Sequence, residues 1–256
     1  MPELVELRRE GSACVLVLNR PEKLNAISAA VERELLDALG SEEARSSRCI
    51  VLCGAGRAFS AGADLNEISR QDPAGIAAYY RETGDVYERF AAFPQPVIAA
   101  IHGYCLGGAL ELALAADFRV ADETAVFGLP EVELGILPSS GGTHRLVRIV
   151  GPARAKELML LRERFDAGQA LELGLLTELV EEGKALSRSL ELAERISALP
   201  PLAVSVAKQA ADLLAESSRE TGVALERIAY GMLAQTDEAR DATHAFARRK
   251  RGSKPS

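Results

Sequence analysis

Apolar and polar positions alternate from Leu4 to Leu18 around Gly11-Ser12, the pattern of a β-hairpin. Ser28 then stands as an N-cap before Val31, Leu35, Leu36 and Leu39, whose spacing marks one face of a helix. Ile50-Val51-Leu52 predicts a short buried strand. Residues 73–90 predict one helix, with Ile76, Tyr79, Tyr80, Val86, Tyr87 and Phe90 as its apolar positions. The unbroken apolar run Val97 to Ile101 predicts a buried strand, and glycines turn it into a helix from Gly108 to about Ala116. Phe118 to Ala121 and Ala125 to Phe127 predict two more strands. Leu146, Val147 and Ile149 belong to a further helix, and Pro152 opens another through Leu161. From Gly183 onward the period is helical, broken only at Pro200-Pro201. Strands alternate with helices for about 180 residues before a helical tail, the order of an α/β core with a C-terminal appendage.

One position interrupts this pattern with chemistry. Between Gly103 and Asp117 the only charged side chain is Glu111, set among Leu110, Leu112, Ala113 and Leu114. Burying a carboxylate there is costly unless something pairs with it or uses it. Gly107-Gly108 just before it let a ligand approach the backbone at a helix N-terminus, where unpaired N–H groups favour negative charge. Two other loops come close to known patterns and fail. Gly54-x-Gly56 has Phe59 where a dinucleotide fingerprint needs its third glycine. Ala58-Phe59-Ser60-Ala61-Gly62 lacks one glycine and the following helix of a nucleophile elbow.

Composition narrows the class without changing the picture. Hydrophobic residues make up 48% and charged residues 26%, as in globular proteins. No apolar run approaches the ~20 residues a membrane helix needs, and the acidic start has no leader pattern, so a cytoplasmic protein away from membranes is expected. Four cysteines and three histidines show no metal-binding spacing, so no metal is expected. The formal charge of −7 argues against a nucleic-acid partner. Arg248-Arg249-Lys250-Arg251 is a local exception that leaves an RNA-binding or scaffold role as the alternative from another class.

Three loops resemble those of the crotonase (enoyl-CoA hydratase/isomerase) superfamily: residues 103–111, Ala61-Gly62-Ala63-Asp64-Leu65, and Leu129-Pro130-Glu131 with Leu134-Gly135-Ile136 and Pro138. The opening Asn19 to Ala26 and the closing Phe246-Ala247-Arg248-Arg249 are similar to its ends. The resemblance implies a spiral of ββα units over residues 1–195, and a C-terminal helical trimerisation region over 196–256. It implies assembly as a trimer or a dimer of trimers. It implies an acyl-CoA thioester as substrate, with no cofactor beyond the coenzyme A that the substrate carries. Ala63 and Gly108 match the oxyanion-hole positions, and Glu111 and Glu131 match the two carboxylates of the hydratases. Asn25, Ala26, Ala61, Asp64 and Leu65 fall where the family holds CoA; Asn66 stands where many relatives carry lysine. Phe246 and Arg249 match tail positions that reach a neighbour's CoA. By residue pattern alone Glu133 competes with Glu131, since alternation puts both on one face of a strand; the motif selects Glu131. Residues 138–142 are less glycine-rich than in the family, and Ala242 replaces a common glycine. The implied activity is hydration of 2-enoyl-CoA esters, with Δ3,Δ2-enoyl-CoA isomerisation as the nearest rival and hydrolysis or decarboxylation behind it.

Overall fold

A computed structural model describes residues 3–70, 72–82, 85–161 and 164–252, with the side chains of 245–252 and of a few residues between 68 and 82 outside that description. Among the described residues the strands are β1 (Val5–Glu10), β2 (Ala13–Leu18), β3 (Cys49–Gly54), β4 (Val97–Ile101), β5 (Tyr104–Leu106), β6 (Phe118–Asp122), β7 (Val126–Gly128), β8 (Phe165–Asp166) and β9 (Glu178–Val180). The helices are α1 (Ala29–Gly40), α2 (Glu42–Ser46), α3 (Leu65–Ile68), α4 (Pro73–Glu82), α5 (Val86–Ala91), α6 (Gly108–Ala115), α7 (Gly142–Leu160), α8 (Ala167–Glu172), α9 (Ala185–Ser197), α10 (Pro201–Leu214), α11 (Arg219–Leu233) and α12 (Asp237–Gly252).

The larger sheet runs β1-β2-β3-β4-β6-β9. The β1–β2 hairpin is antiparallel and every later pairing in it is parallel. β2 and β4 are buried along their whole length, as expected where a parallel sheet is covered on both faces and its strands read as continuous apolar runs. A second sheet, β5-β7-β8, grows beside the first. Each turn of the chain leaves the large sheet, adds a short stretch to this second stack and returns through helical structure, as in β4-β5-α6. A parallel bridge between Ser60 and Cys105 extends the stack to the turn that follows β3. The result is the crotonase-type α/β spiral of ββα units followed by helices.

Several expectations change in detail. Residues 73–90 form two helices, α4 and α5, instead of one. Gly84, a poor helix former, lies between them in sequence. Gly151 adopts φ +76°, breaking α7 immediately before Pro152. Pro130–Leu134 is a 3-10 turn and not the end of a strand. That turn buries Glu131 and leaves Glu133 exposed, so the two do not share a face. The chain divides into two compact units, residues 1–194 and 195–256.

Candidate active site

Glu111 lies in the first turn of α6, which is buried along its whole length. Its C-terminal carbonyls are held by Arg119, which donates to Ala116 O at 2.6 Å and Ala113 O at 3.3 Å. At the other end Gly107 takes φ +54° and ψ −126°, a conformation that a side chain would strain. Its N–H donates to Gly128 O at 2.8 Å, and the Gly108 N–H that follows has no acceptor among the described residues. Ala63 comes from the loop after β3. That loop is drawn in by Ile27 N–H to Gly62 O and by Asp64 N–H to Ile27 O, both at 2.8 Å. The Ala63 N–H likewise meets no described acceptor. A methyl built on Gly108 would lie 3.7 Å from Ala63 N, so the two unengaged amides face one small space.

Both candidate acids are buried beside that space, Glu111 at 4% and Glu131 at 7% exposure. Their surroundings differ. Glu111 Oε1 accepts from Ser140 N–H at 2.8 Å and Gly142 N–H at 2.9 Å. Burial pushes its pKa up, while those amides, that of Ser139 and the Arg145 charge oppose the rise. Gly142 makes the approach possible, because a Cβ there would sit 2.3 Å from Glu111 Cγ. Glu131 Oε1 is 3.0 Å from where a Gly107 Cβ would be. Its Oε2 is buried and has no hydrogen-bond partner among the described residues. Burial, reinforced by the Glu111 charge, pushes the Glu131 carboxyl up to about 7. Burial thus raises both acids, the amides of Ser139, Ser140 and Gly142 oppose the rise at Glu111, and Glu131 holds a proton near neutrality. A pair pushed apart in this way can divide the roles of base and acid.

Of the remaining predicted positions, Asn25, Ala26, Ala61, Asp64, Leu65 and Asn66 lie on or beside two loops that are bonded together. Asn25 is in the left-handed region (φ +55°) and fully buried. Its amide donates to Ala55 O and Ala58 O at 2.8 Å, so the side chain organises the 55–59 loop. Ala26, Ala61 and Ala63 are half-buried, and Leu65 and Asn66 are exposed. Asp64 caps α3 through Asn66 N–H and pairs with Arg20 at 3.3 Å, which ties the 20–26 loop to the Ala63 loop. The buried Ser60 hydroxyl donates to Asn25 O and accepts from Gly62 N–H, a structural use in place of a nucleophilic one. The side chains of Phe246 and Arg249 lie outside the described residues.

Three contributors were missed from sequence. Arg145 donates to Ser140 O at 2.9 Å and to Glu88 at 2.6 Å, bracing the loop whose amides hold Glu111. Tyr87 presents its hydroxyl 3.2 Å from a Cβ built on Gly108. Glu32 is buried on α1. Its position next to Val31 was the available signal, since an acid there breaks the apolar face. Among the described residues no cluster of His, Cys, Asp and Glu could hold a metal ion. No helix among them is long and apolar enough to cross a membrane.

The chain is similar to known proteins along nearly its whole length. The sequence pattern of the family described as Enoyl-CoA hydratase/isomerase matches residues 8–253. The chain is 38% identical over 252 residues to the 2,3-dehydroadipyl-CoA hydratase of Escherichia coli (strain K12), covering 98% of this chain and 97% of that one. It is 35% identical to the short-chain-enoyl-CoA hydratase of Clostridium acetobutylicum, with coverage of 96% and 95%. The crystal structure of an enoyl-CoA hydratase from Bacillus anthracis superposes with a TM-score of 0.91 at 36% identity, covering 96% of this chain and 97% of that one.

Proposed function

As the chain belongs to the enoyl-CoA hydratase/isomerase family, we propose that it adds water across the double bond of 2-enoyl-CoA thioesters. The observation that carries this reading is the pair of buried glutamates in contrasting environments beside two unengaged amides. The thioester oxygen sits between Ala63 N–H and Gly108 N–H. As water attacks Cβ, charge develops on that oxygen, and each preorganised donor contributes about 3 kcal/mol to the transition state. Glu111 takes a proton from the attacking water, and the hydroxyl forms its bond to Cβ. The π electrons move through Cα toward the thioester, and Glu131 delivers its proton to Cα. Passage of the proton from Glu111 back to Glu131 through the next water restores both acids. An isomerase needs the same amides and only one base, so retention of two acids favours hydration. CoA runs along Ala26, Ala61, Asp64, Leu65 and Asn66, with Asn25 shaping that strip from beneath. In a trimer, Phe246 and Arg249 of a neighbouring subunit complete it, a ring suiting the base face and a guanidinium the phosphate.

Loss of absorbance of the conjugated thioester of crotonyl-CoA tests the reading directly. Glu111→Gln and Glu131→Gln should each lower kcat by at least about 100-fold with folding intact. A variant that hydrates every ester as fast as the parent would remove its glutamate from the mechanism. Isomerisation of a 3-enoyl ester by a parent that hydrates nothing would transfer the assignment to the isomerases.

A further inference from the structure

Glu32 is an acid the proposed reaction does not use, at 1% exposure on the core side of α1. Its neighbours on that side are Val31, Leu35 and Leu39, so the position lies on an otherwise aliphatic face. Tyr79 of α4 donates to Glu32 Oε1 at 2.5 Å. Tyr87 of α5, itself buried, lies near the same carboxyl, and burial with the Glu32 charge pushes its pKa up. Tyr87 also reaches the reacting end of the site. Its hydroxyl and Ala63 N lie 3.2 Å and 3.7 Å from one point, the Cβ position of Gly108. An acyl group whose carbonyl oxygen sits between the two amides therefore lies against Tyr87. Beyond Tyr87 the structure offers the Glu32 carboxyl and the Tyr79 hydroxyl, where a chamber for long aliphatic chains would be lined with leucine and phenylalanine.

We propose that Glu32, Tyr79 and Tyr87 form the far wall of the acyl chamber and restrict the enzyme to short acyl groups; the inference rests on the hydratase reading and names its substrate class. In an apolar chamber each added methylene strengthens binding by roughly fourfold. Here the added methylenes press on a buried acid and two hydroxyls, which lose hydrogen-bonding partners without gaining any. An acyl chain ending in a carboxylate is excluded as well, because it brings a second acid against Glu32.

The test uses the full-length protein and compares kcat/KM for crotonyl-, 2-hexenoyl- and 2-decenoyl-CoA and for an ester with a terminal carboxylate. The parent should fall at least tenfold from crotonyl to decenoyl and should disfavour the carboxylate. Glu32→Leu should raise the decenoyl-to-crotonyl ratio at least tenfold, chiefly through KM. Tyr79→Phe, a gentler change, should move it the same way by a smaller factor, and it decides the matter if Glu32→Leu does not fold. Calorimetric affinities for saturated butyryl- and decanoyl-CoA should show the same ranking and the same shift without any turnover. They separate the wall from the reaction: failure to hydrate any ester sinks the hydratase reading, while the binding ratio still judges the wall. A parent that handles decenoyl chains or the carboxylate as well as crotonyl overturns the proposal. So do variants that lower the melting temperature and leave the chain-length ratio unmoved.

Discussion

Glu111 and Glu131 are the same residue type, both buried, and their surroundings separate them. Glu111 meets aligned amide donors; Glu131 has one oxygen with no described partner. The Glu131 value of about 7 has two consequences. Hydration that needs this group protonated should decline as pH rises through about 7, which a pH profile of kcat/KM checks. Stability follows from linkage. The folded pKa lies above the reference value of 4.5, so between the two the native protein binds more protons than the unfolded chain. Its stability therefore falls as pH rises through that window. Glu131→Gln removes the titration. The variant should melt above the parent at pH 8 and close to it at pH 4, measured by calorimetry. A parent as stable as the variant at both pH values would show that burial of this acid costs nothing.

At the element scale, the loop from Pro138 to Gly142 converts helix packing into the orientation of a base. Arg145, on the first turn of α7, pins Ser140 O, and Glu88 of α5 holds the guanidinium from the far side. Tyr80 of α4 bonds Ser139. Among side chains, Arg145 of α7 thus acts on Glu111, and the Glu111 charge in turn helps burial raise Glu131 on the 3-10 turn and Tyr79 and Tyr87 on α4 and α5. Arg145→Gln should lower kcat at least tenfold with a small change in KM, since Arg145 acts on the base and not on CoA. Because the arginine charge lowers the Glu111 pKa, its loss should also move the acidic limb of the profile to higher pH. A changed kcat with an unmoved limb would leave Arg145 a merely structural role. Local signals were legible where the interaction is local: Ser28 accepts from Val31 N–H as an N-cap, and Gly11-Ser12 turns the hairpin. They failed where partners are distant. β8 is two residues long and exists through pairing with β7, some forty positions earlier in the sequence.

On the scale of the whole molecule, residues 195–256 form a unit in which several described apolar side chains are exposed. On α11, Ile228, Tyr230 and Met232 are 61%, 75% and 67% exposed, and no residue of α10 is buried. Faces of this kind are covered by another chain in a stable protein. The purified protein should therefore sediment as a trimer or a multiple of it. Ile228→Glu combined with Tyr230→Glu should reduce its mass toward the monomer, read by sedimentation velocity. Deleting residues 243–256 should raise KM for CoA esters more than it lowers kcat, because the acids and amides lie elsewhere. A monomeric parent with full activity, or an unchanged KM after truncation, would refute the shared site.

Hydrophobic periodicity, glycine and proline positions, and one acid isolated in an apolar helix determined the α/β order, the turn into α6 and the candidacy of Glu111. These depend on forces acting over a few residues, which local composition encodes. The choice between Glu131 and Glu133 became physical only through the 3-10 turn, which buries one and exposes the other. The approach of the Ala63 and Gly108 amides, the pairing of Arg145 with Glu88, and the junction of Glu32 with Tyr79 and Tyr87 join segments dozens of residues apart. Folding alone brings them together, and only there does burial separate two glutamates that the sequence writes alike.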